Sequence, residues 1–309
     1  MRRKLGNTGI EVSEVGFGAW QLGNTREDGS TGEKAVELVH KAIDLGCNLF
    51  DTAPNYALGK SEEILGKALK NKREDVVINS KFGHSPEDKI DFNPDLIRDS
   101  VAGSLKRLQT DYLDSLLLHN PPFEALEGKT EHFDILAELK SEGKIKAYGA
   151  SVDTSKEIFA LLNNTDAQVI EIMFNIFHQE PKKAFAEASK KGVGLIVKVP
   201  LDSGWLTGKY DSSSSFTGIR ERWSEAEITR RSKLVDGVRK IKDEDTSMVH
   251  EAISFILSYP EISTVIPGVR NTEQLSHNLA ARSLRLDDSK LKDYEKLYND
   301  KIKDNPLNW

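Results

Sequence analysis

The 309-residue chain predicts an α/β fold, a closed (β/α)8 TIM barrel, on three observations. Short apolar runs alternate with longer amphipathic stretches along almost its whole length. There are eight of each, in βα order. Several of the early apolar runs end in a reactive polar residue: "CNLFDTAPNY", "DVVINSKFG" and "LDSLLLHNPP". Strand C-termini converge on one face of such a barrel, so these residues are expected to share one mouth.

The elements follow in order. "KLGNTGIEVS" near the N-terminus reads as a hairpin turning at Asn7 to Gly9. Strands are expected over 15–20, 48–51, 76–81, 113–119, 147–151, 169–174, 194–199 and 264–267. Helices are expected over 33–45, 61–70, 94–108, 132–142, 155–162, 182–191, 248–259 and 272–280. In the third helix Pro94 stands near the N-terminus, and Leu96, Ile97, Val101, Leu105 and Leu108 recur at helical spacing. The fifth opens on a capping Thr154 or Ser155 and closes on Asn. Two stretches lie outside the repeat. One spans 202–245, with the low-complexity "DSSSSFTG" expected to be flexible and a charged helix behind it. A long insertion after a barrel strand is usually a functional lid. The other is the tail, with a helix over 289–298 and the end "DNPLNW". The whole chain, 1–309, reads as one barrel domain.

Composition is that of an ordinary globular protein, 38% hydrophobic and 30% charged. A net charge of -6 offers no basic field for nucleic acid. The single cysteine, Cys47, allows no intramolecular disulfide and reads as a small buried residue. No signal peptide and no apolar run of about 18 residues is visible, so no membrane partner is expected and a cytoplasmic location is.

Four residues form the candidate catalytic group: Asp51, Tyr56, Lys81 and His119. A phenol titrates near ~10 and donates poorly at neutral pH unless something lowers that value. A close ammonium such as Lys81 would do so. Asp51 would hold Lys81 charged and in place. His119 would either orient a carbonyl oxygen or relay a proton. Each residue alone has an ordinary reading: surface Tyr, solvated Lys, turn-capping His, N-capping Asp. Their joint placement after three consecutive strands carries the argument.

These motifs lead to a family. "GFGAWQLG", "DTAPNYALGKSEEILGKAL", "SKFG", "LLLHNPP", "GKIKAYGAS", "PLDSGWLTGKY" and "VIPGVRNTEQLSHNLAA" together resemble the aldo-keto reductases, in order and over nearly the whole chain. The resemblance implies a (β/α)8 barrel and a catalytic tetrad of Asp51, Tyr56, Lys81 and His119. It also implies reduction of aldehyde or ketone carbonyls, or the reverse, with a nicotinamide dinucleotide bound without a Rossmann domain. No G-x-G-x-x-G follows the first strand, which agrees.

The same resemblance distributes the cofactor contacts. It implies Ser151 at the carboxamide and counts Gly18, Ala19, Trp20, Asp51, Glu171 and Lys198 among the cofactor contacts. Pro200, Leu201, Ser203, Gly204, Leu206, Gly208 and Lys209 are expected along the pyrophosphate, where glycines let the backbone approach. Ile266, Gly268, Arg270, Gln274 and Asn278 follow the last strand, where barrels often place phosphate at a helix N-terminus. Arg270 is read as the clamp on a 2′-phosphate, which favours NADPH/NADP over NADH.

The chain departs from the family pattern at Val152, Glu171 and Lys198, where Asn, Gln and a stacking aromatic are common. Glu171 and Lys198 lie on neighbouring strands, and an ion pair between them beside the nicotinamide is a further expectation. The pocket wall is expected from Trp20, Tyr56, Phe82, His119, Phe123 and Trp205, with the terminal Trp309. Three functions compete. The first is a carbonyl reductase acting on a small-molecule carbonyl or alcohol, as a monomer or small homo-oligomer. The second is a redox-sensing cofactor-binding protein with slow turnover. The third, a metal hydrolase, fails because His119 is the one strand-end histidine in the sequence reading, and no metal is expected.

Overall fold

The computed structural model describes residues 1–23 and 32–308. Its strands are β1 (Arg2–Lys4), β2 (Glu11–Ser13), β3 (Phe17–Gly18), β4 (Leu49–Asp51), β5 (Val77–Phe82), β6 (Leu113–His119), β7 (Ile145–Val152), β8 (Val169–Met173), β9 (Gly194–Lys198) and β10 (Ile262–Val265). Strands β3 to β10 are parallel and ordered in sequence. Parallel bridges Val15 to Val265 and Gly18 to Gly268 join the first edge to the last. Gly16 N–H donates to the Val265 carbonyl at 2.8 Å across that seam. The expected barrel is therefore present.

The helices are α1 (Gly32–Asp44), α2 (Lys60–Leu69), α3 (Ile97–Leu108), α4 (Phe123–Leu126), α5 (His132–Ser141), α6 (Ser155–Asn164), α7 (Phe185–Lys190), α8 (Glu225–Ile241), α9 (Met248–Leu257), α10 (Thr272–Ala280) and α11 (Asp288–Lys301). Local chemistry sets their ends. Thr154 and Glu157 close a capping box on α6, and Ser224 and Glu227 close another on α8. The helix expected over 182–191 opens instead as a 3-10 turn, Glu180–Ala184, with Pro181 at its start. Short α4 was not expected. In the 202–245 insertion "DSSSSFTG" is a compact turn: Ser213 N–H donates to Asp211 Oδ1 at 2.9 Å, and Phe216 packs between Trp205 and Trp223.

Strand alternation splits the apolar residues into two cores. Leu49, Val77, Leu117, Ala147, Val169, Ile196 and Ile266 fill the barrel together with Leu5 and Val12. Alternate residues, such as Phe50, Ile78, Leu116, Leu118, Ile170 and Val197, face the helices. Leu5 and Val12 flank the N-terminal hairpin, which plugs the bottom of the barrel. There Asn7 N–H donates to the Gly192 carbonyl at 2.7 Å. The contact is close: a Cβ at Gly194 would lie 2.7 Å from the Leu5 carbonyl carbon. With the bottom filled by apolar side chains, polar inward positions remain only toward the strand C-termini.

Gly194→Ala should therefore lift the hairpin off its seat and cost about 1–3 kcal/mol. Urea unfolding checks this, and an unchanged midpoint would show that the plug adjusts freely.

Candidate active site

The inward positions above the apolar plug carry a chain of buried polar side chains. Asp51 ends β4, and Lys81 lies one residue from the end of β5. Lys81 Nζ donates to both Asp51 oxygens at 2.7 Å and to the Thr52 carbonyl at 3.2 Å. Asn79, two residues before Lys81 and on the same face, donates to Asp51 Oδ2 and accepts from Ser115. On the other side, Glu171 Oε2 lies 3.3 Å from Lys81 Nζ. Ser151 Oγ donates to Glu171 Oε1 at 2.8 Å and accepts from Lys198 Nζ at 2.8 Å. Lys198 also meets Asp153 Oδ1 at 2.9 Å and Asn120 Oδ1 at 3.1 Å.

The expected direct Glu171–Lys198 pair does not form. The hydroxyl of Ser151 stands between them, and Glu171 turns inward to Lys81 instead. The reason is register. Lys198 pairs with Met173, two residues beyond Glu171 along β8, while Ser151 pairs with Glu171 across β7 and β8 and hydrogen-bonds both side chains.

The four expected catalytic residues do converge. The Tyr56 ring lies 5.3 Å from Lys81 Nζ and meets the His119 ring edge-on at 6.1 Å. His119 Nδ1 is buried without a hydrogen-bond partner. His84, which sequence reading missed, packs against the His119 ring at 4.5 Å. Its position three residues beyond Lys81, in "SKFGH", was the available signal. Asn79, Asn120 and Asp153 were also missed, although Asn79 and Asp153 lie two residues from Lys81 and Ser151 respectively.

Electrostatics follow from burial. Burial pushes the Asp51 carboxyl up, the nearby Glu171 charge adds to this, and Lys81 opposes it. For Glu171 burial acts upward too, but the ammonium groups of Lys81 and Lys198 bring it below the ordinary value. Lys81 is pulled down by burial and raised further by Asp51 and Glu171, so it stays charged. The Tyr56 phenol is raised, not lowered as expected: burial outweighs the downward pull of Lys81, and Asp51 and Glu171 add to burial. His119 is held well below its ordinary value by burial, then by Lys81, His84 and Lys198. Its ring is neutral, which suits donation of one hydrogen bond to a carbonyl oxygen rather than a proton relay.

Two other expectations need correction. Phe82 follows inward Lys81 and so faces outward, edge-on to Phe92 and near His132; it is not pocket wall. Trp205 is fully buried among Tyr210, Phe216 and Trp223, as the core of the insertion rather than a pocket wall. Val152 also faces outward into the helix-side core. Phe123 is half-buried with Lys156 Nζ 4.6 Å above its ring, and Trp20 is exposed. Trp309 lies outside the described residues.

At the expected phosphate end, Arg270 is exposed just before α10, with its backbone N–H bonded to Gln274 Oε1 at 3.0 Å and its Nε to Gln21 at 3.2 Å. Asn278 is buried on the same helix, with Nδ2 3.5 Å from the Gly268 carbonyl. Gly18 is buried at the seam, where a Cβ would meet the Ile266 carbonyl oxygen at 2.8 Å. Ala19, Pro200 and Ile266 are buried and Leu201 is partly so. In the loop after β9 the amides of Gly204 and Leu206 both donate to the Leu201 carbonyl, and Gly208 N–H donates to Trp205. These amides close turns within the loop. Ser203 and Gly204 hold φ of 54° and 101°, and Lys209 is exposed over the Tyr210 ring. Among the described residues no group of three or more His, Cys, Asp or Glu is arranged to hold a metal, and no helix is long and apolar enough to cross a membrane.

A model of the aldo/keto reductase family matches residues 14–299. The chain belongs to this family. It is 33% identical over 308 residues to an L-galactose dehydrogenase of Arabidopsis thaliana, covering 95% of this chain and 92% of that protein. It is 30% identical over 312 residues to an NADH-specific methylglyoxal reductase of Escherichia coli K12, covering 92% and 94%. The holo form of an aldo-keto reductase from Bacillus halodurans superposes with a TM-score of 0.82 at 28% identity, covering 96% of this chain and 95% of that one. This aldo-keto reductase is thus an oxidoreductase of a family that generally uses nicotinamide cofactors.

The packing of His119 in this aldo-keto reductase has a titration consequence. Its folded pKa lies below the ordinary ~6.5, so the folded protein binds fewer protons there than the unfolded chain. The ring should stay neutral in the folded protein as pH falls through ~6.5, and the stability it contributes should decline over that window down to the folded value. Histidine ring NMR checks this, with His119→Asn assigning the signal; titration at the ordinary value would contradict it.

Proposed function

We propose that the protein reduces aldehyde or ketone carbonyls to alcohols, or runs the reverse reaction, with Tyr56 as the proton donor and NADPH as the preferred cofactor. The observation that supports this most strongly is one cluster: a charged Lys81 between buried carboxylates, beside a protonated phenol and a neutral imidazole. When bound, the nicotinamide supplies a hydride to the carbonyl carbon. The residues present fit such a group. Ser151 Oγ, already donating once and accepting once, keeps a lone pair for a carboxamide N–H. Arg270 offers an exposed guanidinium at the start of α10, where an anionic phosphate is favoured.

The chain's own groups then act on the carbonyl oxygen. Neutral His119 donates a hydrogen bond that fixes its direction. Tyr56 gives its phenolic proton to that oxygen as negative charge develops there. The phenolate left behind is stabilised by the Lys81 ammonium, which Asp51 holds in place. A phenol with a raised pKa keeps its proton at neutral pH, which is the form that reduction requires. Trp20, Tyr56 and His119 face a planar or apolar aldehyde such as 4-nitrobenzaldehyde in this reading.

Tyr56→Phe should cut reduction of 4-nitrobenzaldehyde by about 100- to 10,000-fold, read as loss of reduced-nicotinamide absorbance. Full activity in that variant would end the assignment of the acid. Arg270→Met should lower the NADPH-to-NADH ratio of kcat/KM by roughly ten- to a hundredfold, the value of a charge-assisted bond. A ratio that does not move would remove the 2′-phosphate role from Arg270.

A further inference from the structure

Lys81 has two carboxylate neighbours rather than one. Asp51 reaches it from β4 with both oxygens at 2.7 Å, and Glu171 reaches it from β8 with Oε2 at 3.3 Å. Glu171 is 1% exposed, and its other oxygen is fixed by the Ser151 hydroxyl. Ser151 is in turn fixed by Lys198, and Lys198 by Asp153 and Asn120. The carboxylate is therefore built in, with its orientation set by a chain of contacts running to the rim of the mouth.

We propose that Glu171 is a positioning residue which shares the Lys81 ammonium with Asp51 and so sets the pH at which Tyr56 releases its proton. The inference rests on Tyr56 being the acid, as proposed above. Every charged or titratable group facing Lys81 enters the sign. Glu171 on β8 is negative and favours the protonated phenol; Asp51 on β4, whose carboxyl burial and Glu171 push up to about 8, does the same once ionised, as it is on the alkaline limb. Lys81 on β5 and Lys198 on β9 are positive and favour the phenolate. His119 on β6 and His84 beyond β5 are held below their ordinary values by burial first, and His119 contributes no charge at neutral pH. Removing Glu171 deletes one negative charge near the phenol and leaves Lys81 less neutralised. Both effects stabilise phenolate. Reduction needs the protonated phenol, so its rate survives below the phenol's pKa and falls above it. Without Glu171 that fall moves to lower pH.

Glu171→Gln keeps the shape and the acceptor for Ser151 while removing the charge; Glu171→Asp keeps the charge. The experiment has two readouts on wild type and both variants. One is the alkaline limb of kcat/KM for reduction of 4-nitrobenzaldehyde. The other is ultraviolet titration of the phenol without substrate, taken as the difference from Tyr56→Phe. We expect Glu171→Gln to shift both readouts down by about one pH unit, the scale of a nearby charge, and Glu171→Asp to return most of that shift. An unmoved phenol titration in Glu171→Gln overturns the proposal, and so does an equal shift in Glu171→Asp, which would report packing alone. If instead Tyr56→Phe keeps full activity while the phenol titration shifts, it is the assignment of the acid that fails.

Discussion

The ammonium of Lys81 is the constraint around which the mouth of this barrel is arranged. A charge this deeply buried is costly unless paired and hydrogen-bonded on every side. Here Asp51, Glu171 and the Thr52 carbonyl surround it. Each partner is fixed in turn: Asp51 by Asn79, Asn79 by Ser115, Glu171 by Ser151. The side chains come from β4, β5, β6, β7 and β8, so the polar chain also ties strand ends together. Removing one partner would leave an unmatched buried charge, which costs more than the pair itself contributes.

Strand alternation decides which residues can join this chain, and it explains both successes and failures of sequence reading. Asp51, Lys81, His119 and Ser151 were legible because each ends an apolar run and because the motifs resembled a family. Phe82 was misplaced because an aromatic beside an expected catalytic lysine reads as pocket wall until period-two alternation is applied strictly. Asn79 was legible by the same rule and was overlooked. The Glu171–Lys198 pair failed for another reason. Neighbouring strands bring two residues close, but Lys198 is in register with Met173, two positions beyond Glu171, and both long side chains turn to the Ser151 hydroxyl of β7. Sequence carries no direct signal of that register. Burial of Tyr56 was equally invisible, so the sign of its shift was misread from Lys81 alone.

Backbone strain clusters at the same face. Ala57 and Leu58 follow Tyr56 with φ of 51° and 58°, Asn120 follows His119 at 54°, and Val199 follows Lys198 at 55°. A β-branched residue seldom adopts this conformation. Asn175 holds it by donating to the Val199 carbonyl at 3.0 Å. Three and four residues on, Asp202 and Ser203 also have positive φ, and the fully buried Arg231 of α8 forms an ion pair with Asp202. Arg231 also donates to the Asn308 carbonyl at 2.7 Å, which links the insertion, the loop after β9 and the tail. Asn120 and Val199 lie directly after the strands that supply His119 and Lys198, as expected where the surrounding structure over-determines a site.

The elements common to the family and those particular to this chain meet at Lys81. Asp51, Tyr56 and His119 stand on one side of it and Glu171 on the other, and only the second side departs from the pattern the motifs resemble. A glutamine there could accept a hydrogen bond but could neither form an ion pair with the ammonium nor add charge near the phenol. A glutamate does both, and the lysine that replaces a common aromatic on β9, itself paired with Asp153, favours that charge from beyond Ser151 without touching the carboxylate directly. The two departures are thus electrostatically coupled: each makes the other less costly to bury, and together they leave the four reactive side chains in place while changing the field in which the phenol titrates.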